Sequence, residues 1–106
     1  MKVLLDECLP VDFRHHLPGH DVHTTQWAGL KSLKNGHLLN QAELAGYDIS
    51  LTVDQGIPHQ QNPIKRKIAI LILRTRTNQL EDLLPMVEDI LLSLSKLQPG
   101  EIAYTG

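Results

Sequence analysis

The sequence predicts an α/β fold, a three-layer α/β/α sandwich built on a mostly parallel sheet of about five strands. Three observations predict it. Short, apolar, β-rich runs alternate with segments of helical periodicity, which is the signature of strands joined by helical crossovers. The run Ile68 to Leu73 is apolar on both faces, as a central strand covered on both sides must be. A chain of 106 residues, 42% hydrophobic and 21% charged, has the composition of one globular domain over 1–106.

Each element follows in order. Lys2 to Leu5 is a short apolar run that ends in Asp6 and Glu7, as a buried parallel strand would. Pro10 suits a helical first turn, which Val11, Phe13, Arg14 and Leu17 continue until Pro18-Gly19 stops it. His20 to Thr25 reads as a second strand with Val22 inward, and the chain loops around Gln26 to Gly29. Asn35 is placed to cap a helix whose apolar face is Leu38, Leu39, Ala42 and Ala45, closed by Gly46. Ile49 to Val53 is a third strand ending at Asp54. The stretch Gln55 to Pro63, with two prolines and a glycine, reads as loop.

After the strand at Ile68 to Leu73, Asn78 and Glu81 have capping-box spacing. Leu80, Leu83, Leu84, Val87, Leu91 and Leu94 then mark a helix, with a kink or break expected at Pro85. Beyond Pro99-Gly100, Ile102 to Tyr104 forms a short edge strand.

Met1 to Leu5 runs straight into two acids, which leaves no apolar segment of a secretory leader. No apolar stretch approaches the roughly 20 residues that span a bilayer. The single cysteine, Cys8, excludes an internal disulfide and suits a reducing compartment, so a cytoplasmic protein with no membrane partner is expected. A net charge of -2 excludes a general electrostatic magnet for nucleic acid. Between Asp54 and Glu81, however, there is no acid, while Lys65, Arg66, Lys67, Arg74 and Arg76 all fall there. That run is either a solvated rim or a local patch for phosphates.

Ligands of open parallel sheets bind beyond the carboxyl ends of the strands. Two predicted strands end there in carboxylates: Asp6 with Glu7, and Asp54. If the two strands are neighbours, their acids meet at one rim. Such a group is either solvated or neutralised by a hard cation, Mg²⁺ or Mn²⁺, able to polarise a phosphodiester and activate water. Cys8 beside Asp6, with His37, can be drawn as a nucleophile and base, although nothing in the sequence orients the pair. His20 and His23 have a spacing that metals can use, and His59, Gln60, Gln61 and Asn62 can line a cleft beside Asp54. Arg14 and Arg74 can each neutralise a phosphate. Trp27 can stack on a base, plug the core or form a dimer contact.

The opening Lys-Val-Leu-Leu-Asp-Glu-Cys-Leu-Pro and the segment Leu17-Pro18-Gly19-His20-Asp21-Val22 are followed by Trp27-Ala28-Gly29-Leu30 and Asn35-Gly36. Leu51-Thr52-Val53-Asp54, Gln60-Gln61-Asn62 and Leu80-Glu81-Asp82-Leu83-Leu84-Pro85 complete a series that covers nearly the whole chain. This series resembles a PIN-like family classed with the toxins of toxin–antitoxin pairs and distantly related to VapC-type ribonucleases. The resemblance implies a PIN-like fold and a Mg²⁺- or Mn²⁺-dependent ribonuclease acting on single-stranded RNA. It implies that Asp6, Asp54 and Glu7 hold the ion; in such a nuclease Arg74 or the run from Lys65 to Lys67 is expected to hold the RNA backbone. The family usually has Asn at Cys8 and an acid at His37. An imidazole there removes a negative charge and is a softer ligand, so His37 either retunes the metal or marks weakened activity. Glu43 on the same helix is expected to face solvent. The alternative is a non-catalytic PIN-like module that forms a homodimer or pairs with an antitoxin-like protein. A flavodoxin-like nucleotide-binding domain is the weakest expectation, because no glycine-rich loop follows the first strand.

Overall fold

The run from Ile68 to Leu73 is buried end to end and contains the strand β4 (Ala69–Leu73). A segment apolar on both faces has to be covered on both faces, and this requirement organises the molecule. The computed structural model describes residues 1–33, 35–53 and 66–106. Asp54 and Lys65, the loop from Gln55 to Pro63 and His59 lie outside the described residues. With β1 (Lys2–Leu5), β2 (Asp21–Thr24), β3 (Ile49–Thr52) and β5 (Ile102–Thr105), β4 forms one sheet in the order β2-β1-β3-β4-β5. Every neighbouring pair is parallel, so the fold is α/β with five strands.

Alternation along the strands feeds two apolar clusters, one on each face. Val3, Leu5, Ile49, Leu51, Leu71 and Leu73 share one cluster with Phe13, Leu17, Leu83, Ile90 and Leu94. Leu4, Ile70 and Ile72 share the other with Leu38, Leu39, Ala42 and Tyr47. The first cluster is covered by a 3₁₀ helix (Val11–His16) and by the helices α2 (Leu80–Leu83) and α3 (Val87–Lys96). The second is covered by α1 (Asn35–Leu44). Ala45, placed by its spacing on the buried face of α1, is exposed just beyond the last turn.

Two departures from the sequence reading have identifiable causes. The segment after Pro10 is 3₁₀ rather than α. Six residues are too few to offset α nucleation, and Leu17, which precedes Pro18, is biased away from the α conformation. The capping box is not made: no side chain caps α2, and Asn78 Nδ2 donates instead to the Cys8 carbonyl at 2.7 Å. The side chain is turned to a backbone acceptor that tertiary folding brings up, instead of to the helix N–H groups. Pro85 does break the helix, since a 3₁₀ turn (Leu84–Met86) separates α2 from α3. Gly46 ends α1 at φ 89 in a Schellman closure. Its N–H donates to the Glu43 carbonyl at 3.0 Å, and that of Tyr47 to the Ala42 carbonyl at 3.0 Å.

Glu43 does not simply face solvent. It is half-buried, and its Oε1 accepts the backbone N–H of Ile68 at 2.9 Å and that of Lys67. The carboxylate thereby ties α1 to the amino end of β4. The Ile68 N–H bond, aided by Lys67 N–H and the charges of Arg66 and Lys67, holds the Glu43 carboxyl below its ordinary value. A depressed carboxyl contributes stability that is present above the unfolded value of 4.5 and is lost as pH falls through the folded value. Glu43→Ala is expected to cost about 1–2 kcal/mol at neutral pH. The gap from wild type should narrow in thermal melts run progressively below pH 4.5. A gap independent of pH would show that the carboxylate charge does not matter.

Candidate functional site

The winding of the sheet reverses between β1 and β3, where a doubly wound sheet opens a crevice at its carboxyl edge. Asp6 stands there. Its backbone N–H donates to the Leu51 carbonyl at 3.0 Å, which extends the β1–β3 ladder by one residue and fixes the Cα at the rim. The two strands that end in acids are therefore neighbours, as the sequence reading required. Asp54 itself lies beyond the described part of β3.

The half-buried Asp6 carboxylate is held by three donors. Thr52 Oγ1 donates to Oδ2 at 2.7 Å, the Cys8 thiol reaches the same oxygen at 3.6 Å, and the Glu7 N–H donates to Oδ1 at 2.7 Å. Thr52 is fully buried. Both carboxylate oxygens are thus oriented, and Oδ1, with a single donor, keeps lone-pair capacity for a further partner. Hydroxyls that orient a carboxylate in this way also orient a metal ligand. Thr52 was missed in the sequence, although a threonine at the end of a buried strand, next to Leu51, is the available signal.

Burial pushes the Cys8 thiol up, the Asp6 charge adds to this, and a backbone bond at Val53 pulls partly back. A thiol so placed serves as a weak hydrogen-bond donor to Asp6, which counts against the Cys8–His37 reading.

Glu7 is exposed, and its Oε1 accepts the Ser32 N–H. Among the described residues Ser32 is the non-glycine residue with a positive φ, 70°, so Glu7 secures an unusual turn just before α1. One Glu7 oxygen is therefore committed to the chain. His37 lies exposed in the first turn of α1, close in sequence to this turn and on the same side of the sheet. A cleft of about 240 Å³ opens beside Asp6 and Glu7, with Lys31, Thr24, Thr25 and Gln26 in its wall. Among the described residues, no three His, Cys, Asp or Glu side chains converge as a metal-holding group.

The predicted phosphate-binding cations separate. Arg74 follows β4 on the same rim, two strand spacings from β1 or about 10 Å. Its guanidinium lies 4.4 Å from the centre of the Tyr104 ring, towards β5. Arg14 lies on the 3₁₀ helix in the wall of a neighbouring cleft, with Nη1 donating to the Val11 carbonyl at 3.1 Å. Lys67 precedes β4 and so lies at the opposite end of the parallel sheet from Asp6, which splits the basic run from the rim. His20 and His23 do not converge. His20 lies 3.4 Å from the Met1 amino group, and His23 is held by Tyr47 and Asp21.

The strand order is one that nucleotide-binding doubly wound sheets use. The loop after β1, however, is Asp6-Glu7-Cys8-Leu9-Pro10, with two acids and no glycine where a phosphate would need backbone N–H groups. Among the described residues, no helix is long and apolar enough to cross a membrane. No family model matches the chain, and no curated protein or solved structure matches it.

Thr52→Val keeps the shape of the buried side chain but removes the hydroxyl from Asp6. If Asp6 holds a divalent ion, loss of this orienting donor lowers the ion affinity about tenfold or more, whereas Thr52→Ser stays near wild type. Isothermal titration with Mn²⁺ reads this affinity. Equal affinities for wild type and Thr52→Val would mean that the hydroxyl orients nothing.

Proposed function

We propose that the protein is a cytoplasmic, PIN-like phosphodiester hydrolase that uses Mg²⁺ or Mn²⁺ to cut single-stranded RNA in the manner of a toxin. One observation carries the reading: the Asp6 carboxylate, at the β1–β3 reversal of the sheet, is aligned by Thr52, Cys8 and the Glu7 N–H beside an open cleft. Hard carboxylate oxygens suit these ions. Asp6 and Asp54 would hold the ion, with Glu7 contributing its uncommitted oxygen and His37 flanking the site. When bound, the ion supplies Lewis-acid polarisation of the phosphodiester and activation of water. The chain's own residues align the Asp6 ligand through Thr52 and fix the α1 turn through Glu7. The deciding assay is cleavage of labelled single-stranded RNA in Mg²⁺, in Mn²⁺ and in EDTA, with His37→Glu alongside. Metal-dependent cutting by either protein supports the reading, and silence from both overturns it.

One observation favours a second reading, a non-catalytic module that forms a homodimer or an antitoxin-like complex. Leu92 on α3 is 55% exposed, and Leu84 and Tyr104 are also exposed. A stable dimer that binds no divalent ion at millimolar concentration would select it.

A further inference from the structure

We propose that the cleft between the 3₁₀ helix and β2 is a nucleotide subsite, where Trp27 stacks on an unpaired base and Arg14 binds an adjacent phosphate. The proposal rests on the reading of the protein as one that engages single-stranded RNA, and it extends that reading to how the strand is held.

Trp27 is the sole tryptophan of the chain and is 71% exposed, so it does not plug the core. It is nevertheless not loose. The His23 ring packs beneath it with centroids 4.0 Å apart and planes inclined at 38°. His23 is fixed in turn, with Nδ1 2.8 Å from the Tyr47 hydroxyl and Nε2 2.8 Å from Asp21 Oδ1. The turn carrying the indole is closed by Trp27 N–H to Thr24 Oγ1 at 3.1 Å and Ala28 N–H to the Thr24 carbonyl at 3.0 Å. An aromatic ring backed on one side and open on the other is a stacking platform that loses little freedom when a base settles on it.

Two further features point to nucleic acid rather than to a protein surface. The cleft of about 550 Å³ beside Trp27 has a cation, Arg14, in its wall. Its lining residues Val11, Thr24 and Gln26 also line the smaller cleft beside Asp6, Glu7 and Lys31. One groove therefore runs from the indole to the Asp6 rim, with a cation along each part. A strand whose base lies on Trp27 is led along this groove to Asp6. A duplex, whose bases are already stacked, offers no face to the indole.

The test is a titration of the protein in EDTA with a short single-stranded RNA, followed by tryptophan emission and by anisotropy of a dye on the RNA. Since Trp27 is the only tryptophan, any change in its emission reports this site. Saturable quenching is expected, with Trp27→Ala weakening anisotropy-detected binding roughly 5- to 150-fold and Trp27→Phe recovering much of the loss. Arg14→Gln should flatten the dependence of log affinity on log salt by about 0.7. Binding by Trp27→Ala equal to wild type, or equal binding of the matching duplex, overturns the proposal. So does emission that shifts with protein concentration alone, which would assign the indole to a second copy of the chain. Because cleavage is absent in EDTA, Trp27-dependent binding without turnover in Mn²⁺ would sink the hydrolase reading and leave the subsite standing.

Discussion

Asp6→Asn is expected to leave the protein folded and to lower RNA cleavage by more than about 100-fold in both Mg²⁺ and Mn²⁺. Altering groups that merely orient a metal ligand already costs about 10- to 100-fold, and here the proposed ligand itself would lose its charge. The fold should tolerate the change. An asparagine of the same shape keeps one oxygen for the Glu7 N–H and turns its amide towards Thr52 Oγ1, which is able to accept as well as donate. The stability change is therefore expected within about 1 kcal/mol. Asp6→Glu separates charge from position, because it retains the carboxylate and moves it by a methylene. A displacement of about 1 Å at a reacting centre can cost about 100-fold, so this variant should also be nearly silent. Cleavage kinetics together with circular dichroism melts check both. Activity that survives Asp6→Asn would remove Asp6 from the site and the metal-hydrolase reading with it.

Gly100→Ala is expected to destabilise the protein by about 2–4 kcal/mol, the largest effect on stability foreseen for a single methyl group. Gly100 has φ +77, and a Cβ there would lie 2.3 Å from the Arg66 carbonyl oxygen, which is backbone and cannot swing aside. The close approach has a purpose: Gly100 N–H donates to the Lys67 carbonyl at 2.9 Å, seating the turn that starts β5 against the start of β4. Gly19→Ala is the control. It has a comparable φ of +84 with nothing within 4 Å, so it carries the dihedral cost alone. The Gly100 variant should melt about 10 °C or more below wild type, and the Gly19 variant much closer to it. Equal losses would mean that the contact with Arg66 relaxes freely.

The alternation of strands and helices was legible because each apolar segment has one dominant period, and Ile68 to Leu73 admits little else. The break at Pro85 was legible because proline acts locally. The tertiary role of Asn78 was not, because its partner, the Cys8 carbonyl, is remote in sequence. The same holds for the candidate site. Asp6 could be read from its place at the end of a strand. The Thr52 hydroxyl that orients it depends on the β1–β3 register, and the His23 support beneath Trp27 depends on α1 bringing Tyr47 across. Lys67 misled because a run of cations in sequence says nothing about which end of a parallel strand it occupies.

The order of strands in the sheet also sets a timetable for synthesis. β1 leaves the ribosome first, yet one of its two neighbours, β3, begins at Ile49. β4, the most apolar strand, pairs on its outer side with β5, which begins at Ile102. Until Ile102 to Thr105 emerge, the nascent chain presents an open apolar edge at β4, the kind of surface that recruits a foreign strand. Vectorial synthesis thus leaves the outer edge of β4 unpaired until the last strand emerges, and a chain stalled at Pro99 is the form that should depend most on chaperones.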